Sequence, residues 1–270
     1  MRVVNSNEVI TIEIPKISIH DRMRSWAVWL VIAVILAWSW NPAEMFNISS
    51  LYTDADNMVE FSKGFLKPNF HDVGVYIDEM LITVYIAVWG TALSIVMGIP
   101  FGILSSNNVA PIWIVQPVRR LMDSFRAINE IVFALLFVVA VGLGPFAGVM
   151  ALFVHNTGIF AKLFSEAVEA IDPRPVEGIR ATGSSKLQEV IYGIIPQVLP
   201  LWISFSLYRF ETNVRSATVL GIVGAGGIGH VLWESMRGFM YAETAAIMLI
   251  VIVSVTIIDI VSQQLRKWVI

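Results

Sequence analysis

Long apolar runs are the feature of this sequence that most limits how it can fold. A helix needs about 20 mostly apolar residues to cross a bilayer, because every backbone amide at that depth must be paired within the protein. The chain has 270 residues, of which only 14% are charged and 56% are hydrophobic. Soluble domains average about 25% charged residues. We therefore predict an all-α, polytopic membrane protein.

The apolar runs predict about six transmembrane helices. These runs cover residues 25–40, 80–104, 128–141, 146–164, 194–208 and 244–261. The predicted organisation is a cytoplasmic N-terminal segment (1–24), a first transmembrane helix (25–40), a periplasmic segment (41–79) and a transmembrane core (80–270). No small-residue cleavage pattern follows the first run, so we expect a retained span rather than a signal peptide.

The distribution of Lys and Arg predicts the orientation of the chain. The basic residues near the predicted span ends are Arg22, Arg24, Arg119, Arg120, Lys162, Arg174, Arg180, Lys186, Arg266 and Lys267. An even number of spans places all of them on one side, which the positive-inside rule makes cytoplasmic. Both termini are then cytoplasmic, and the acid-rich segment 41–79 lies on the opposite side.

A polar loop, residues 166–193, separates the fourth and fifth predicted spans. Asp172 can cap a short helix whose first turn accommodates Pro173 and Pro175, and Gly183 can end it. The residues between these signals include Glu177, Gly178, Arg180, Ala181 and Thr182. Such a helix can be a plain connection between two spans or a docking element for a soluble partner.

Glu177, Gly183 and Pro196 have a spacing that resembles the cytoplasmic Glu-Ala-Ala loop of bacterial ABC importer permeases, although Gly178 and Ile179 replace the two alanines. Further stretches are similar to the phosphonate ABC transporter permeases of the PhnE type, a family of binding-protein-dependent importers. They are residues 116–123, 126–130, 141–148, 208–218 and 223–229. The resemblance covers most of the chain after about Met80.

This resemblance implies a type I ABC importer permease fold and the function of a phosphonate permease subunit, for which phosphate and phosphite are possible further substrates. It implies a homodimer in the bacterial inner membrane, two ATPase subunits that bind ATP and Mg, and a periplasmic phosphonate-binding protein. It also implies that the ATPase contacts the loop at Glu177, Gly178, Arg180, Ala181, Thr182 and Gly183.

The residues themselves are consistent with a non-enzymatic subunit. The sequence contains no Gly-x-x-x-x-Gly-Lys-Ser/Thr motif and no cysteine, so we expect ATP hydrolysis in another chain and no cofactor or metal here. A net charge of -3 provides no basic field for nucleic acid. The alternative is a secondary transporter of a small anion, driven by an ion gradient, with Glu130 or Glu211 as its proton site.

Charged and amide side chains within the apolar runs are candidates for the substrate path. They are Arg126 and Asn129 near the third run, and Arg209, Glu211, Asn213 and Arg215 after the fifth. Helical spacing predicts the pairs Arg126–Glu130 and Glu211–Arg215. These residues can form ion pairs between spans, or the arginines can attract an anionic phosphonate. His155 is expected to be an interhelical hydrogen-bond donor.

Residues 210–241 are too polar for a simple span and too apolar for an ordinary loop, so we predict a pore-lining or re-entrant stretch. Within it, Gly224, Gly226, Gly227 and Gly229 match Gly-x-Gly-x-x-Gly. The match lacks the surrounding βαβ unit of a dinucleotide site. These glycines are therefore predicted to form a hinge or gate, or to allow close packing of backbones.

Overall fold

The computed structural model of the chain describes residues 2–5, 8–11, 19–45, 47, 52 and 55–269. The chain divides into two units, Met1–Glu60 and Phe61–Ile270. In the first unit, β1 (Arg2–Asn5) pairs antiparallel with β2 (Glu8–Thr11). This hairpin was not predicted. The helix α1 (Ile19–Ser39) follows, and its described side chains are exposed, as expected for a span that faces lipid.

The remaining elements are helical. They are α2 (Ala55–Phe65), α3 (Val73–Leu104), α4 (Ile112–Ala127), α5 (Glu130–Val141), α6 (Pro145–Glu169), α7 (Pro173–Ala181), α8 (Lys186–Gln188), a π-helical turn (Glu189–Ile194), α9 (Ile195–Leu220), a second π-helical turn (Gly221–Ala225), α10 (Ile228–Arg237) and α11 (Tyr241–Val269). The prediction of a predominantly helical, polytopic chain is confirmed.

Five helical segments of the described chain are long and apolar enough to cross a membrane, and a sixth results if α4 and α5 are counted as one bent span. The five are Arg22–Ser39, Val73–Leu104, Pro145–Glu169, Lys186–Ala225 and Tyr241–Trp268. The axes of α4 and α5 differ by 87°. The count of five to six agrees with the sequence-based prediction.

The third predicted span, residues 128–141, does not form a complete span by itself. Its helix, α5, has 12 residues, which corresponds to a length of about 18 Å at 1.5 Å per residue. The hydrocarbon core of a bilayer is about 30 Å thick. Only together with α4 is this part of the chain long enough to cross, and the bend between the two helices has specific side-chain partners that are described below.

The fifth predicted span, residues 194–208, is much longer in the structure. The loop helix that begins at Lys186 continues through the first π-helical turn into α9, so that one helical segment extends to Ala225. The predicted re-entrant stretch 210–241 contains the end of this segment, a glycine turn and the separate ten-residue helix α10. A direct helical connection therefore joins the loop to the membrane-spanning part of the chain.

The core of the second unit forms where α3 and α6 pack closely along their length. Ideal Cβ atoms on Gly98 and Gly102 would lie 2.6 Å and 2.7 Å from the Cβ atoms of Phe160 and Phe164. Ser94, one turn before Gly98, donates a hydrogen bond of 3.1 Å to the carbonyl oxygen of Phe153. Small residues on one helix thus let the backbone of the other approach, which is the usual way that helices associate in membranes.

Candidate functional site

The predicted docking helix of the polar loop is present as α7 (Pro173–Ala181). The Asp172 side chain accepts a hydrogen bond of 3.0 Å from the backbone amide of Arg174 and so caps the helix. The Arg174 guanidinium also donates to Asp172 and lowers the pKa of that carboxyl. After α7, Gly183 has a φ of 79°, which favours glycine. The capping and ending signals in the sequence are thus confirmed.

The two sides of α7 differ in exposure. Glu177, Gly178 and Ala181 are exposed, and no atom lies within 4 Å of an ideal Cβ on Gly178. Thr182 and Gly183, which follow the helix, are also exposed. This surface is therefore accessible to another molecule. The residues that α7 directs toward its own chain form the other side.

Arg180 contacts its own chain, although the resemblance assigns it to the contact with the ATPase. Its Nε lies 3.0 Å from Glu189 Oε1 and its Nη2 lies 2.9 Å from Glu189 Oε2. The carboxylate of Glu189 raises the pKa of Arg180 through these hydrogen bonds. Such a two-pronged pair is among the strongest side-chain contacts. The guanidinium therefore joins α7 to the helical segment that begins at Lys186.

A polar junction holds the bend between α4 and α5. Asn129 Oδ1 accepts a hydrogen bond of 2.9 Å from the backbone amide of Ile131 and so caps α5. The ring of His155 on α6 lies between two partners: Nδ1 is 2.9 Å from the carbonyl oxygen of Ile128, and Nε2 is 3.2 Å from Glu130 Oε2. Ser216 on α9 donates a hydrogen bond of 2.9 Å to Glu130 Oε1. The expected interhelical role of His155 is confirmed.

The predicted pair between Arg126 and Glu130 is wrong. The prediction assumed one continuous helix, but α4 ends at Ala127 and α5 begins at Glu130, so the two side chains do not occupy successive turns. Arg126 instead pairs with Asp123, with 3.0 Å between Nη2 and Oδ1. Glu130 is directed toward α6 and α9 as described above.

Arg209 lies on α9 and faces α6. Its Nε is 3.1 Å from the side-chain oxygen of Asn156, and its Nη2 donates to the same oxygen. Asn156 is fully buried and donates a hydrogen bond of 2.9 Å to the carbonyl oxygen of Leu152. Within the part of the chain that the structure describes, Arg209 forms no ion pair. Its hydrogen-bond partner is an amide oxygen. The carboxylate that acts on it electrostatically, Glu130, is bonded instead to His155 and Ser216.

Arg215, six residues further along α9, has a different environment. Its Nη2 lies 2.7 Å from Glu211 Oε1 and 2.9 Å from Asp259 Oδ2 on α11. The second oxygen of Glu211 is 3.0 Å from Nη2 of Arg266. The predicted Glu211–Arg215 pair is confirmed, and it belongs to a cluster of two arginines and two carboxylates, which we call the α9–α11 cluster. Its formal charges cancel.

Asn213 lies in the packed interior. It is fully buried, and its Nδ2 donates a hydrogen bond of 2.7 Å to Thr91 Oγ1 on α3. Its Oδ1 has no hydrogen-bond partner among the described residues. In this conformation Asn213 therefore connects two helices and has no open surface.

The glycine segment contains two kinds of position. Gly224, Gly226 and Gly227 have φ angles of 93°, 74° and 76°, a region that L side chains rarely adopt. Gly229 is a different case, because a Cβ there would overlap the carbonyl oxygen of Thr218.

The turn formed by these glycines is held from two sides. Gly144 donates a backbone hydrogen bond of 3.0 Å to the carbonyl oxygen of Gly224, and Thr83 Oγ1 accepts one of 2.9 Å from the backbone amide of Ile228. An open groove of about 630 Å³ adjoins it.

Sequence reasoning missed three residues in these contacts, Asn156, Glu189 and Asp259. It also missed Gln197, whose side-chain amide is hydrogen-bonded to the backbone of Asp172. Asp259 is an acidic residue at the end of the last apolar run, which is a detectable signal. For the other three, the contacts with Arg209, Arg180 and Asp172 have no local signal, because these partners are 53, 9 and 25 residues away in the sequence.

Comparison with known proteins places the chain in a family. Residues 98–270 match the family described as "Binding-protein-dependent transport system inner membrane component". The match covers more than half of the chain, and the chain belongs to this family of transport permeases.

Two curated relatives match the chain over shorter or longer parts of its sequence. The "Putative cryptic phosphonate transport system permease protein PhnE2" of Escherichia coli (strain K12) is 64% identical over 118 residues, which are 44% of this chain and 97% of that protein. The "Phosphite transport system permease protein PtxC" of Stutzerimonas stutzeri is 34% identical over 239 residues, which are 88% of this chain and 86% of that protein. The predicted resemblance is confirmed.

Among solved structures, one described as "Inward facing conformations of the MetNI methionine ABC transporter" superposes with a TM-score of 0.65. The alignment covers 75% of this chain and 99% of that chain, at 20% sequence identity. At this identity the likeness concerns the fold alone. The fold is that of the type I ABC importer permeases, as predicted.

Proposed function

We propose that this chain forms the translocation path of an ATP-driven importer of phosphonates, with phosphite and phosphate as further candidate substrates. Two copies form the path in the bacterial inner membrane, with all termini in the cytoplasm. Two ATPase subunits bind ATP and Mg, and a periplasmic binding protein delivers the substrate. The names of the two relatives reported above support the substrate class, and family membership supports the division of labour between subunits.

The observation that carries the substrate assignment is the environment of Arg209. A charged side chain at the centre of a membrane costs about 2.5–3.5 kcal/mol on insertion scales, so it is usually paired or functional. Arg209 donates only to the amide oxygen of Asn156 among its described partners, so an anion would not have to displace an ion pair to bind its guanidinium. The planar fork of a guanidinium matches the oxygens of a phosphonate group.

The other candidates for the substrate path support the proposal less well. Arg215 and Glu211 neutralise each other within the α9–α11 cluster. Asn129 caps α5, Asn213 bonds to α3, and Arg126 pairs with Asp123. We assign these five residues to structural roles, within one helix or between helices, and Arg209 to the path.

The coupling of ATP hydrolysis to transport is assigned to the loop 166–193. The exposed surface of α7 and its C-terminal turn, formed by Glu177, Gly178, Ala181, Thr182 and Gly183, is proposed to contact the ATPase. Closure of the ATPase dimer then rocks the helices and alternates access to the path.

The glycine segment 224–229 is the proposed gate. Its positive φ angles create a turn between two helices, and small rotations at this turn change the direction of the chain.

Reconstitution tests this function directly. The chain is placed in liposomes with its ATPase and binding protein, and uptake of labelled methylphosphonate is measured. We expect uptake that requires ATP, the ATPase and the binding protein together. Competition with phosphite and phosphate ranks the three anions. Uptake by the chain alone under a proton gradient would contradict the proposal and would restore the ion-gradient alternative, which family membership does not support.

A further inference from the structure

The loop helix α7 contacts the beginning of the next long helical segment at three regularly spaced places. Asp172 meets Gln197, Val176 meets Gly193, and Arg180 meets Glu189. Each step of four residues along α7 corresponds to a step of four residues in the opposite direction along the other helix. Residues four apart lie on one face of a helix. The three pairs therefore form one antiparallel seam, which we call the α7 seam.

The three pairs of the α7 seam differ in chemistry. At one end, Gln197 Oε1 accepts a hydrogen bond of 3.2 Å from the backbone amide of Asp172, and Gln197 Nε2 donates one of 3.3 Å to its carbonyl oxygen. At the other end, Arg180 and Glu189 form the two-pronged ion pair. The side chain of Glu189 is only 7% exposed, whereas that of Arg180 is 54% exposed. The carboxylate is thus enclosed by the groups that it binds.

The central pair depends on the absence of a side chain. Val176 is buried, and an ideal Cβ on Gly193 would lie 3.2 Å from Val176 Cγ2 and 3.3 Å from its Cα. The backbones of the two helices are therefore in near contact at this point. Because the pairs on either side are polar and the centre is tightly packed, sliding or rotation of α7 would break all three pairs at once.

The seam also spans the first π-helical turn (Glu189–Ile194). Two of its residues lie in that turn and Gln197 lies in α9 beyond it. A π-helical turn is a place where a helix can bend. Here the α7 seam fixes the bend of the helix at the turn. It binds to Glu189 and Gly193 within the turn and to Gln197 beyond it.

We propose that α7 and the segment from Lys186 to Leu220 move as one rigid body during transport, and that Glu189, Gly193 and Gln197 are the positioning residues that hold them together. This inference rests on the proposed function, since it concerns how movement of the ATPase reaches the path. It assigns Arg180 to the contact between α7 and the next helical segment instead of the contact with the ATPase. Movement of α7 is then passed directly to α9, the helix that carries Arg209.

A disulfide across the central pair provides the decisive test. The chain has no cysteine of its own, so Val176→Cys with Gly193→Cys introduces one defined pair where the two backbones are in near contact, as a disulfide requires. The oxidised variant is compared with its own reduced form, so that any effect of the added side chain at position 193 is common to both. In the reconstituted importer, we expect the oxidised double variant to take up substrate within about twofold of its reduced form. A covalent link between two elements that do not move relative to each other should not change the rate of transport. The two single-cysteine variants, treated with the same oxidant, are the controls.

A loss of more than about tenfold on oxidation, reversed by a reductant, would overturn the proposal, because it would mean that α7 must move relative to α9. If the unmodified importer takes up no substrate at all, the proposed function has failed instead, and the seam is then judged by a measurement on the purified chain.

Hydrogen exchange of the amides of α7 is expected to rise at least about tenfold in Arg180→Glu and to return toward the original rate in Arg180→Glu with Glu189→Arg. Unchanged exchange in the single variant would overturn the seam.

Discussion

The guanidinium of Arg209 donates two hydrogen bonds to the side-chain oxygen of Asn156, across the contact between α9 and α6. The two residues are separated by 53 positions in the sequence. Arg215, on the same helix, is held by two carboxylates. Of two arginines on one helix, only Arg215 is held in ion pairs, and this difference separates a proposed substrate contact from a structural one.

Replacing Arg209 should impair transport without removing the protein from the membrane. We expect Arg209→Ala to lower the rate of methylphosphonate uptake about tenfold to a hundredfold, because a hydrogen bond to a charged group is worth about 1.5–3 kcal/mol. Arg209→Lys keeps the charge but loses the planar fork, and should be intermediate. The measurement is uptake per reconstituted molecule.

A change in the partner of Arg209 tests the same assignment in a second way. Asn156→Asp would put a carboxylate where the amide oxygen now lies and should neutralise the arginine, so we expect uptake to fall toward the level of Arg209→Ala. Full uptake by both variants would exclude Arg209 from the substrate path.

The α9–α11 cluster should contribute to stability rather than to transport by each molecule. Glu211→Ala removes the carboxylate between Arg215 and Arg266, and the side chain of Glu211 is only 12% exposed. We expect the free energy of unfolding to fall by about 1–3 kcal/mol, because a largely buried partner of two charged groups is lost. Thermal unfolding of the purified chain in detergent measures this.

Arg215→Ala tests the same cluster from the other side. The side chain of Arg215 is 49% exposed, so water screens part of the loss and the destabilisation should be smaller than for Glu211→Ala. Uptake per correctly inserted molecule should stay within about twofold of the original. A large loss of uptake by a stable Arg215→Ala protein would place this arginine in the path after all.

Glu177 should matter for coupling rather than for folding. It lies on the exposed side of α7, and Glu177→Lys reverses the charge that a partner would meet. We expect normal amounts of protein in the membrane, retained ATP hydrolysis by the complex, and uptake reduced at least about tenfold. The ratio of substrate transported to ATP hydrolysed is the quantity to measure.

A matched control has the same charge reversal on a different element. Glu234 is exposed on α10 and pairs only weakly with His230, at 3.4 Å. Glu234→Lys should leave the coupling ratio unchanged. If Glu177→Lys also preserved that ratio, Glu177 would have no part in the transmission of movement from the ATPase.

The bend between α4 and α5 should depend on His155. His155→Ala removes the partner of the Ile128 carbonyl and one partner of the Glu130 carboxylate. The Ile128 carbonyl would then lose its side-chain partner, while the Glu130 carboxylate keeps only the bond from Ser216. A buried group left unsatisfied costs about 1–3 kcal/mol. We expect a lower midpoint of thermal unfolding, while His155→Gln, which can still donate to one of the two oxygens, should be less affected. Equal stability of both variants and the unmodified chain would contradict this account of the bend.

The sequence by itself determined the features that arise within one stretch of chain. Apolar runs predicted the helical membrane architecture, Asp172 and Gly183 predicted the limits of α7, and the spacing of Glu211 and Arg215 predicted their pair. These predictions succeed because the geometry of a single helix relates position in the sequence directly to position in space.

Only the tertiary structure decided which polar residues from different helices meet. The helix break that separates Arg126 from Glu130, the placement of Arg209 on Asn156 and the α7 seam all depend on how one helix is rotated and shifted against another. Those rotations follow from the packing of many small and large side chains over the whole bundle, such as Gly98 against Phe160. No local pattern encodes them, because each contact is a property of two surfaces that are brought together only when the chain has folded.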